Sequence, residues 1–83
     1  MSIIKSRSII RYMEYAIRLK LGQKIKELRK KYSYTQEELS EAANIDYKYI
    51  QRIEGKKPPA VRIDTIEKLA KALKVKPCDL LKF

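Results

Sequence analysis

Apolar positions recur along this chain at helical spacing, and no stretch alternates as a half-buried strand does. Leu21, Ile25, Leu28 and Tyr32 fall at i, i+4, i+7 and i+11, a stripe that predicts a helix ending near Lys31. Thr35 then opens a second helix. Its hydroxyl can cap the amide three residues on while Glu38 reaches back, a capping box flanked by Tyr34 and Leu39 as hydrophobic staple. Leu39 and Ala42 are expected to face inward, and Asn44 to end the helix, because asparagine tolerates a left-handed turn. Asp46 caps a third helix that buries Ile50 and Ile53 and ends at Gly55. Lys57-Pro58-Pro59 is an extended connector, since proline lacks an amide donor and constrains the residue before it. A fourth helix is expected from about Asp64, with Asp64 and Glu67 as a second capping box and Ile66, Leu69, Ala70 and Leu73 inward. Pro77 suits the first position of a short fifth helix carrying Leu80 and Leu81.

A length of 83 residues leaves room for one core, so the pattern describes a single all-α domain. The apolar share of 45% argues against wholesale disorder. Charged residues interrupt the apolar ones throughout, which speaks against a membrane span, and Lys5, Arg7 and Arg11 break up any signal-peptide core. With no histidine and only Cys78, a zinc site lacks ligands and a disulfide framework lacks partners. Neither a histidine base nor a glycine-rich phosphate loop is present, so an enzyme is the least supported class and no cofactor is expected.

The net charge of +10 points instead to a polyanion. It is unevenly placed. Residues 1–31 carry ten basic side chains against two acidic ones, residues 32–55 two against five, and residues 56–83 eight against three. The ends are basic and the middle is net negative, and the polyanion so indicated is DNA, RNA or an acidic surface.

That middle segment holds the motif: a helix from Thr35, a tight turn at Ala43-Asn44-Ile45, and a helix from Asp46. Thr35-Gln36-Glu37-Glu38-Leu39-Ser40, then Asn44-Ile45-Asp46, then Tyr49-Ile50-Gln51-Arg52-Ile53-Glu54, resembles the helix-turn-helix of the Cro/CI-type, or Xre-like, regulators. Leu21-Gly22-Gln23-Lys24-Ile25-Lys26-Glu27-Leu28-Arg29 before it and Ile66-x-x-Leu69-Ala70-x-Ala72-Leu73 after it extend the resemblance over Leu21 to Leu81. It implies a compact five-helix, lambda-repressor-like domain over residues 21–83, preceded by an extension over residues 1–20.

The resemblance also implies roles. Tyr47, Lys48, Gln51 and Arg52 fall where such proteins read base edges in the major groove, and Gln36 where they bind phosphate and brace the recognition helix. Lys56, Lys57 and Arg62 lie in the loop that touches the DNA backbone. Arg29 and Glu54 match a partly buried ion pair joining the first and third helices. Independently, if Ile50 and Ile53 point inward, positions 47, 48, 51 and 52 share the opposite arc at 100° per residue. Lys48 and Arg52 then offer donors suited to guanine, and Gln51 an amide suited to adenine. The family usually has glycine where Asn44 and Lys74 stand and alanine where Ser40 stands, and the Gly55-to-Ile63 loop is one residue longer than common.

Several residues read as structural. Tyr49 flanks Ile50 and is expected to pack; Gly22 is expected to allow close helix contact; Cys78 has no activating partner. Lys24, Lys26, Lys30 and Lys31 read mainly as a solvated face. Leu80, Leu81 and Phe83 form an apolar C-terminal end expected to be a dimer surface. The first twenty residues stay open between a helical arm docking on the body or a partner subunit, a basic arm tracking DNA phosphates, and a leader preceding a start at Met13. The reading is therefore a cytoplasmic, nucleoid-associated homodimer that binds operator DNA sequence-specifically, either phage-repressor-like or restriction–modification-controller-like. An antitoxin-like protein whose extension binds a partner is the alternative.

Overall fold

A computed structural model describes the backbone of residues 3–83 and the side chains of residues 15–83. Among the described residues four α-helices follow one another: α1 (Ile3–Lys31), α2 (Gln36–Ala43), α3 (Tyr47–Ile53) and α4 (Ile63–Ala72). The expected fifth helix is a single 3-10 turn over Pro77–Leu81. Five residues opened by Pro77 suffice only for the tighter spacing, and Asp79 N–H donates to the Lys76 carbonyl at 2.9 Å. Hydrogen bonds from the Lys76 amide and from Lys82 hold the Asp79 carboxyl below its ordinary value of 3.8.

α1 is unbroken across residues 20 and 21, where the extension was expected to give way to the domain. Its 29 residues span roughly 44 Å at 1.5 Å per residue, and the whole body measures 48 × 23 × 21 Å. Among the residues whose side chains are described, the second half of the helix contributes to the interior. Leu21 and Ile25 are buried and Leu28 partly so, whereas Tyr32, predicted as the end of the stripe, is exposed, as are Tyr15, Ile17 and Leu19. The side chains of Ile3, Ile4, Ile9, Ile10 and Met13 lie outside the described residues.

Three turns bend the path, and each places a non-glycine residue in the left-handed region: Ser33 at φ 59°, Asn44 at φ 55° and Lys74 at φ 59°. All three share one hydrogen-bond pattern. The left-handed residue's N–H bonds three residues back, and the next N–H bonds five back, as in Ile45 to the Ser40 carbonyl at 2.9 Å. Otherwise orphaned helix-end carbonyls are satisfied this way.

The interior they enclose consists of Leu21, Ile25, Leu39, Ala43, Ile50, Ile53, Leu69, Ala70, Leu73 and Leu80. Two expectations are corrected here. Ala43 rather than Ala42 faces inward, because it lies one turn after Leu39 on the same face, with Ser40 buried beside it. Asp64 does not cap α4. That helix starts at Ile63 behind Arg62 with no side-chain cap, so Asp64 sits in the first turn, where its Oδ1 accepts from the Thr65 amide at 3.1 Å, while Glu67 pairs with Lys71.

Gly22 is where α1 meets the end of α3. A Cβ there would overlap the Ile53 carbonyl oxygen and come 3.2 Å from its carbon, so no larger residue fits without shifting backbone.

Candidate nucleic-acid interface

Both helices of the motif are held at their starts by their own sequence. Thr35 Oγ1 accepts from the Glu38 amide at 3.0 Å and Glu38 Oε1 from the Thr35 amide at 2.8 Å, the reciprocal cap. Asp46 Oδ1 accepts from the Lys48 amide at 3.2 Å and starts α3. α2 packs on both α3 and α4, so α3 is braced along one side.

With Ile50 and Ile53 fully buried, α3 turns Tyr47, Lys48, Gln51 and Arg52 outward, and all four are exposed. These four stand on one face. Gln51 Nε2 donates to the Tyr47 phenol oxygen at 3.1 Å. Tyr49 faces away from them and packs against the interior, and its hydroxyl donates to the Ala60 carbonyl at 3.3 Å.

The end of α3 is anchored by charge. Arg29 Nε donates to Glu54 Oε2 at 2.8 Å and Nη2 to Oε1 at 2.9 Å, a fork-to-fork pair with side chains only 10% and 2% exposed. The third guanidinium nitrogen, Nη1, donates to the Tyr34 carbonyl at 2.9 Å. Gln36 Nε2 completes the network on Glu54 Oε1 at 3.1 Å. One carboxylate thus ties α1, the α1–α2 turn and the first residue of α2 to the end of α3. Hydrogen bonding and charge from Glu54 raise the Arg29 pKa against the opposing effect of burial, so the guanidinium stays ionised.

Lys56 and Lys57 are exposed in the α3–α4 loop, which the buried Pro58 and the Tyr49–Ala60 bond pin to the body. Arg62 is exposed too, but its Nε lies 3.4 Å from Asp64 Oδ1. Lys30, read from sequence as part of a solvated face, shares a cleft with Arg29, Ser33, Tyr34, Gln36 and Tyr47. The signal available in sequence was its place in the last turn before the motif. Near the C-terminus, Leu80 is fully buried in its own chain and has no surface for a partner. Its neighbours Leu81 and Phe83 stand 47% and 57% exposed. Among the described residues no helix is long and apolar enough to cross a membrane.

Comparison with known proteins agrees with this geometry. The model of the Cro/C1-type HTH DNA-binding domain matches residues 24–83. The chain is 43% identical over 68 residues to control protein C.BamHI of Bacillus amyloliquefaciens, covering 81% of this chain and 83% of the relative. Among solved structures it is similar to the restriction–modification controller protein C.AhdI from Aeromonas hydrophila, with TM-score 0.75 and 35% identity, over 80% of this chain and 98% of that one. The hypothetical transcription factor NHTF from Neisseria is similar as well, with TM-score 0.74 and 30% identity, over 80% of this chain and 75% of its own.

Proposed function

Since the chain belongs to the Cro/C1-type helix-turn-helix family of DNA-binding regulators, we propose that it reads an operator as a homodimer and controls transcription within a restriction–modification system. The controller role rests on the two controller proteins it resembles. The observation that carries the DNA reading is α3 itself, pinned at Glu54 by three side-chain hydrogen bonds and exposing only polar side chains and Tyr47 opposite its buried isoleucines.

In this reading Lys48 and Arg52 contact guanines and Gln51 an adenine, each good pair contributing about 1–3 kcal/mol of discrimination. Gln36, Lys56, Lys57 and Arg62 meet phosphates, and Lys30 joins them from the cleft beside Gln36. The body works without a catalytic centre, in the cytoplasm where the nucleoid lies. Leu81 and Phe83, without Leu80, form the C-terminal part of the dimer surface. Two subunits then set their α3 helices in major grooves roughly 34 Å apart.

The α1 extension has a separate role. Lys30, in the last turn of α1, lines the same cleft as Gln36 and Tyr47, so the start of the helix lies roughly 40 Å along its axis from the reading end. That direction favours a protein partner over DNA phosphates as its contact. The exposed Tyr15, Ile17 and Leu19 fit the same role. An antitoxin-like function built on that arm is the second reading.

Selection from a random-duplex pool at near-physiological salt tests the first. The expected result is a two-fold symmetric motif with half-sites about ten base pairs apart. Binding that enriches no sequence and fades as salt rises would overturn it.

A further inference from the structure

Tyr47 opens α3, directly after its cap, and the N-terminal residues of a recognition helix are those that enter the groove first. One helical turn later stands Gln51, whose side chain has three freely rotating bonds and, exposed as it is, no packing to choose among its rotamers. The phenol makes that choice, because Gln51 Nε2 donates to Tyr47 Oη at 3.1 Å.

We propose that Tyr47 is a positioning residue for base recognition: it holds the Gln51 amide in the orientation that selects adenine in the major groove. This rests on the DNA reading above. A glutamine amide has two N–H donors and one carbonyl acceptor. With one N–H committed to Tyr47, Gln51 keeps one donor and its carbonyl oxygen. These are the complement of adenine N7, an acceptor, and adenine N6, a donor. The phenol keeps its own O–H for a further acceptor. Ordering Gln51 before binding removes part of the entropy that association otherwise costs, and that saving is realised only where the ordered amide meets the matching base. Lys48 and Arg52 carry only donors, which match the two acceptors of guanine, O6 and N7, in whichever way the side chain turns.

The experiment uses the full-length chain, the duplex selected above, and three further duplexes carrying the other bases at the adenine position, with an unrelated duplex as reference. Tyr47→Phe keeps the ring and removes the hydroxyl. It should lower the preference for adenine over the other three bases by about 3- to 10-fold, a loss larger than any fall in affinity for the unrelated duplex. In a Gln51→Ala background, Tyr47→Phe should have no further effect. An unchanged base preference in Tyr47→Phe overturns the proposal, as does an equal loss on every duplex. So does a loss that persists without Gln51, which would make Tyr47 a direct contact. A wild-type chain that enriches no sequence would instead overturn the operator reading, and that outcome is known before any variant is made.

Discussion

Arg29 and Glu54 stand 25 positions apart in the chain and meet through two parallel hydrogen bonds of 2.8 and 2.9 Å, which lock the end of α3 to α1. The pair is almost completely buried, so its removal is asymmetric. Taking away one partner leaves a charge without compensation in a low-dielectric site. Glu54→Ala and Arg29→Ala should each cost about 3–5 kcal/mol, read as a shift of the urea midpoint. Arg29→Lys should recover only part of the loss, because a single ammonium cannot reach both carboxylate oxygens and the Tyr34 carbonyl.

Gly22 permits the close approach of α1 to α3 that this pair requires. Gly22→Ala should destabilise by about 3 kcal/mol despite alanine's better helix propensity, because the methyl group meets the Ile53 carbonyl. Thermal unfolding followed by circular dichroism measures it. An unchanged or higher Tm would contradict the packing described here.

Lys74 ends α4 in a left-handed conformation that costs an ordinary residue about 1–2 kcal/mol and glycine much less. Its side chain is exposed, so little else is lost on substitution. Lys74→Gly should therefore stabilise by about 1 kcal/mol, a rise in Tm of roughly 4–8 °C for a domain of this size. The same change at Ser33 should act in the same direction.

Arg52 and Gln36 separate sequence reading from attachment. Arg52→Ala should relax preference at one base position at a cost of about 1–3 kcal/mol on the selected operator, with little effect on unrelated DNA. Gln36→Ala should weaken binding to every duplex, since its amide also supports Glu54 and hence the seating of α3. Titrations of both variants on both DNAs decide it, and equal losses for Arg52→Ala on the two duplexes would sink the assignment.

Much of this was legible one residue at a time. The box at Thr35 and Glu38, the left-handed Asn44, the cap at Asp46 and the isoleucine pair of α3 each depend on contacts within a turn or two of the chain. Local geometry settles such contacts, so sequence spacing is enough to find them. Where the local signal misled, the error was also local. Asp64 has the right chemistry for a cap but falls two residues past the cap position, inside the first turn of α4, and Ala42 is one residue off the buried face.

The sequence by itself determined that the chain is helical, basic at its ends, and built around a helix-turn-helix, because helical period, capping chemistry and charge are written in neighbouring residues. Only the tertiary structure decided that Leu80 belongs to the core while Leu81 does not, since that depends on how the last turn seats against α1 and α4. It alone brought Lys30 into one cleft with Gln36 and Tyr47, at the far end of α1 from its start. Those relations join residues from different elements, and only packing the helices against one another brings them together.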